Sequence, residues 1–130
     1  MVEEKKLKRL KEEFLFLKEE VLGVLLFGSV ADDNSILKSD TDICIVAPNQ
    51  KPNEILSMAY QKIDVYGKKY DVHVFEELPL YMKAEVLRNH KVIVAKDLPG
   101  LYEYFYFYRK LWEEQKHRQE ITKEELLRML

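Results

Sequence analysis

One cysteine, Cys44, is all the chain has, so no internal disulfide can form and a reducing setting is expected. Positive charge is not in excess either. Lys plus Arg is 21 against 23 Asp plus Glu, a formal net charge of −2, which removes the electrostatic footprint of a general nucleic-acid binder. No apolar run comes near the ~20 residues that a bilayer span needs, and the Lys/Glu-rich start holds no apolar signal region. Repeats, low-complexity tracts and linkers are missing as well. These absences leave a soluble cytoplasmic domain as the expectation. The 130 residues fit a single domain, and 47% apolar residues suffice for its core.

What is present is organised around residues 25–29, Leu25-Leu26-Phe27-Gly28-Ser29, and a second stretch that begins at Asp40-Thr41-Asp42. Residues 21–27 form a short, nearly continuous apolar run ended by Gly28, the pattern of a buried strand. Residues 30–38 are polar and read as a turn or short helix. Residues 40–46 form a second strand, stopped by Pro48-Asn49. Side chains two apart on a strand share a face, so Asp40 and Asp42 are expected side by side at a strand mouth, facing the Gly28-Ser29 turn. A third strand, 70–75, carries Asp71 among apolar and aromatic neighbours. A carboxylate in such a strand is costly to bury unpaired. If the third strand lies beside the second, Asp71 joins Asp40 and Asp42. Three carboxylates can hold two divalent ions, or one while the third acts as a base. The Gly28-Ser29 turn can bring N–H groups and a hydroxyl to a phosphate, because glycine has no side chain to block the approach.

The remainder reads as support. Residues 3–20 have apolar positions at Leu7, Leu10, Phe14, Leu17 and Val21, the spacing of a helix covering a sheet. Asn53 is placed to cap a helix through Ile55, Leu56, Ala59 and Ile63. Pro79 opens another through Leu80, Met82, Val86 and Leu87, and residues 91–95 form a short edge strand. Leu98-Pro99-Gly100 reads as a break before a long helix. On that helix Leu101, Tyr104, Phe105, Tyr108, Leu111 and Trp112 share a face, while Tyr102, Tyr106 and Phe107 lie off it. A helix that is apolar nearly all round is either sandwiched or offers a surface to a partner or to a second copy of the chain. Thr122 with Glu125, and Ile121 with Leu126, predict a separate short helix from about Lys123. Cys44 reads as a core thiol. His73 shares the Asp71 face and so can line a site, though a packed or solvent-facing histidine is its first reading. The architecture expected is α/β (α+β): a mixed sheet of about four strands with flanking helices.

Gly28-Ser29, ten intervening residues, Asp40-x-Asp42 and the later strand Asp71 together resemble the signature of the minimal nucleotidyltransferase (MNT) family. These are small members of the DNA polymerase β-like nucleotidyltransferase superfamily. The resemblance spans roughly residues 5–96 and implies a nucleotidyltransferase palm, with residues from about 98 to 130 as a C-terminal helical extension of one domain, 1–130. It implies an enzyme that moves a nucleotide, AMP from ATP, with one or two Mg²⁺. Asp40, Asp42 and Asp71 would be metal-binding and catalytic, and Gly28 and Ser29 nucleotide-binding. It further implies an antitoxin paired with a HEPN-domain toxin, modified on a hydroxyl. The slightly acidic charge and the lack of further domains favour a protein acceptor over a polynucleotide. The alternatives are a small-molecule nucleotidyltransferase and a non-catalytic module of the same fold that neutralises a partner. The sequence departs from the family at Asp32 and Asp33, where many relatives carry a basic residue and a glycine. Two carboxylates there oppose a triphosphate electrostatically, and Lys38 is the only cation of the loop.

Overall fold

A computed structural model describes residues 2–28, 41–63 and 70–129. Among them are four α-helices and one four-stranded mixed sheet: α1 (Val2–Phe14), β1 (Gly23–Phe27), β2 (Thr41–Val46), α2 (Pro52–Lys62), β3 (Tyr70–Val74), α3 (Leu80–Arg88), β4 (His90–Ala95) and α4 (Leu98–Met129). The strand order is β3-β2-β1-β4. Strand β1 pairs antiparallel with both β2 and β4, whereas β2 and β3 run parallel. A parallel pair needs a long crossover, and α2 supplies it. No helix among the described residues is long and apolar enough to cross a membrane.

The sheet is covered on both faces. On one, Leu10, Phe14 and Leu17 join Ile55 and Ala59 of α2 against Val24, Ile43, Ile45, Val72 and Val74. On the other, Phe75, Val86, Leu87, Leu101 and Phe105 pack on Leu25, Cys44 and Val46. Burial on both faces is why β1 and β2 read as unbroken apolar runs. Strand β3 alternates instead. Tyr70, Val72 and Val74 are buried while Asp71 is exposed and His73 half-buried.

Several boundaries differ from the expectations above. Helix α1 stops at Phe14, and residues 15–17 tighten into a 3-10 turn that carries Leu17 into the core. Asn53 does not cap α2. Lys51 holds the capping position and Pro52 begins the helix, where its fixed φ and missing N–H cost nothing. Nor do Leu98-Pro99-Gly100 break the chain. They form the first turn of α4, with Asp97 Oδ1 accepting from the Gly100 N–H at 3.2 Å, an N-cap contact. The separate helix expected near Lys123 is absent, because α4 runs through it unbroken. Thr122 donates its hydroxyl to the Arg118 carbonyl at 3.0 Å, a bond made inside a helix and not at its start. Leu101 and Phe105 are fully buried, whereas Tyr102, Tyr106 and Phe107 are exposed, so the first part of α4 packs along one side only, and residues 113–129 are exposed.

Candidate active site at the mouth of the sheet

The topology brings the end of β1 and the starts of β2 and β3 to one edge. Phe27 faces Asp42 in the register, and Asp42 faces Asp71. The two carboxylates therefore stand on adjacent strands in one cross-strand row. Two residues further into β3, His73 occupies the same face and pairs with Cys44 in the register. Its Nε2 lies 3.1 Å from Asp71 Oδ2. One donor atom from each of Asp42, Asp71 and His73 lies within 4.8 Å of the others. The His73 ring meets Phe27 edge to face, with centroids 5.8 Å apart.

Gly28 closes the site from the β1 side. Its φ of +78° is left-handed backbone, a region that a side chain makes costly. A Cβ there would also run into Asp42 Oδ2. The main chain at Gly28 thus lies directly against the Asp42 carboxylate, and two separate constraints require glycine.

Of the five site residues expected from the sequence, Gly28, Asp42 and Asp71 are brought together. Ser29 and Asp40 lie outside the described residues, as do Asp32, Asp33 and Lys38 of the same loop. His73 is drawn into the group more firmly than its sequence reading implied. The signal was its spacing of two from Asp71 on a strand. Cys44 is buried without exposure, and burial pushes its thiol up in pKa, so it is a packed, protonated core residue. On the opposite face at the same edge, Lys6 and Arg9 of α1 line a pocket with Thr41 and Tyr70, the residues just before Asp42 and Asp71. Burial, then the nearby Arg9, lower the Lys6 pKa. The Tyr70 hydroxyl donates to Glu13 at 2.6 Å, and burial and that carboxylate raise its pKa.

The donor set fits a divalent cation. Two carboxylates from neighbouring strands supply hard oxygen ligands, and the half-exposed Asp71 leaves the group accessible from solvent.

The polymerase beta nucleotidyltransferase family model matches residues 8–98. A protein of Methanocaldococcus jannaschii is 42% identical over 99 residues, covering 76% of this chain and 75% of its own length, and its name describes it, by inference, as a protein adenylyltransferase. Among solved structures, a chain of a toxin–antitoxin complex with AMP-PNP matches with a TM-score of 0.68 at 16% identity, over 89% of this chain and 98% of that one. A chain of the Shewanella oneidensis complex between a tri-AMPylated HEPN toxin and an MNT antitoxin matches with a TM-score of 0.65 at 15% identity, over 92% and 98% respectively. At such low identity these two show a common fold.

Proposed function

The chain belongs to the polymerase beta nucleotidyltransferase family, and from that premise we propose that it transfers AMP from ATP, with Mg²⁺, to a hydroxyl of a partner protein in the cytoplasm, as the antitoxin of a HEPN-type toxin. The observation that carries this reading is the pairing of Asp42 with Asp71 against the glycine backbone at the sheet mouth. Its support from relatives is the adenylyltransferase name of the M. jannaschii protein and the toxin–antitoxin setting of the structural neighbours.

Asp42 and Asp71, joined by Asp40 from outside the described residues, would hold the cation. A bound Mg²⁺ supplies charge neutralisation to the triphosphate and polarises the α-phosphorus. The Gly28 main chain, free of a side chain, gives the Asp42 carboxylate its place at the mouth of the sheet, where the cation would bind. In the transfer the acceptor oxygen bonds to the α-phosphorus, and the bond from that phosphorus to the bridging oxygen breaks. Pyrophosphate leaves with the electron pair, and the hydroxyl proton passes to a carboxylate. Asp71 is the proton acceptor in this reading, because it stands at the exposed side of the pair. A slightly acidic chain with an exposed aromatic strip, Tyr102, Tyr106 and Phe107, suits a protein acceptor better than a polyanionic one.

The test incubates the chain with α-labelled ATP, Mg²⁺ and a HEPN-type partner. Label appears on the partner and is lost in Asp42→Ala and Asp71→Asn. Tight partner binding without label, across nucleotides and metals, would leave a non-catalytic binding module in place of the enzyme.

A further inference from the structure

Two carboxylates account for a magnesium site, but the mouth of the sheet holds a third donor of a different kind. His73 Nε2 is 3.1 Å from Asp71 Oδ2 and belongs to the cluster whose donor atoms lie within 4.8 Å of one another. Three features place it there. The pleat of β3 puts residues 71 and 73 on one face. The ring of Phe27 packs edge to face on the imidazole and restricts its orientation. The neighbouring strand offers only the small, buried Cys44 opposite it, which leaves space for the ring. A partly exposed His–Asp pair contributes little to stability, so the pair alone gives no strong reason for this arrangement.

We infer that His73 is a metal ligand, and that the site therefore prefers a first-row transition dication such as Mn²⁺ or Co²⁺ to Mg²⁺. The inference rests on the nucleotidyltransferase reading of Asp42 and Asp71 and adds to it the class of ion. Magnesium takes oxygen ligands and gains little from imidazole, whereas transition ions gain from nitrogen in the order Mn²⁺ < Fe²⁺ < Co²⁺. Exchanging one oxygen for a ring nitrogen thus raises their affinity relative to magnesium.

Mn²⁺ is the probe. The full chain is titrated with Mn²⁺, alone and with a non-hydrolysable ATP analogue, and binding is followed by electron paramagnetic resonance. Pulsed measurements then detect any nitrogen-14 bonded to the ion. The wild type is expected to show that coupling. His73→Phe, which keeps a ring against Phe27, is expected to lose it, with Mn²⁺ affinity reduced roughly tenfold or more and Mg²⁺ affinity, measured by competition, changed far less. A thermal melt of the same variant shows whether it is folded, and His73→Asn serves if it is not. Mn²⁺ bound to the wild type without nitrogen coupling overturns the inference and leaves the carboxylate site standing. Absence of Mn²⁺ binding to the wild type, with and without the nucleotide analogue, overturns both readings.

Discussion

Strand β3 has a carboxylate near each end, and the two ends treat it in opposite ways. Just beyond the strand, Glu76 has both oxygens committed. Oε1 accepts the Ala47 N–H at 3.0 Å and Oε2 accepts the Tyr104 hydroxyl at 2.7 Å. Those two bonds tie the exit of β2 to α4. Burial, with hydrogen bonds to Tyr108 and to Glu76, raises the Tyr104 pKa, so the phenol stays protonated as a donor. Near the start of the strand, Asp71 is half-exposed, faces the like charge of Asp42 and has an imidazole beside it. A carboxylate surrounded by fixed donors is finished as a structural element. One set beside another acid and open to solvent is available to a ligand.

Exchanging the roles breaks the comparison most sharply. Asp71→Asn is expected to lower transfer roughly 10³-fold, about 4 kcal/mol in the barrier. Its stability in urea should be unchanged or slightly higher, since like charges directly opposite on paired strands are unfavourable. Glu76→Ala should do the reverse. It strands the Ala47 N–H and leaves the Tyr104 hydroxyl with Tyr108 alone, at a cost of about 1–3 kcal/mol in urea unfolding, while transfer per folded molecule is retained. Gly28→Ala tests the backbone wall on the β1 side of the Asp42 carboxylate. Left-handed backbone costs an alanine about 1–2 kcal/mol, and the new Cβ displaces the Asp42 carboxylate, so both the melting temperature and transfer fall. The smallest effect is expected at His90, on the edge strand β4 at the opposite edge of the sheet from β3. Burial lowers its pKa from the ordinary 6.5, and its Nδ1 contacts the Val86 carbonyl at 2.9 Å. The unfolded chain binds a proton near pH 6.5, whereas the folded chain resists it until lower pH. The unfolded state therefore holds more protons in that window, and stability falls as the pH drops below about 6.5. His90→Gln should flatten this slope, measured by urea titrations between pH 5 and 7, a range set by the ordinary histidine pKa.

The strands and the row of acids were legible because each rests on a local rule. Apolar runs ending in glycine or proline marked β1 and β2, and a spacing of two put Asp71 and His73 on one face. The parallel pairing that sets Asp42 against Asp71 was only conditional in the sequence, since strand neighbours are chosen by the whole sheet. Helix ends were legible only where a single residue type decides them. Asn53 and Thr122 carry capping chemistry, but Pro52 opens α2 one residue earlier and α4 continues through Thr122 as an exposed helix. The weight of His73 depends on Asp42 across the sheet, a contact that no window along the chain contains. The expectation of an α4 either sandwiched or partner-facing resolves into a helix whose first part, to Trp112, buries one face and whose residues 113–129 are exposed all round.

The parallel pairing has a consequence for how the protein comes into being. Asp42 and Asp71 are separated by an entire helix, and they meet only when β3 returns to lie beside β2. A chain that has emerged from the ribosome only as far as α2 can hold β1 and β2 but has no acid pair. Such a non-local closure comes late in folding, after the local helices and the β1–β2 pairing have formed. In the function proposed above, a cation can be held by this pair only once β2 and β3 have met, whether or not β4 has joined the sheet.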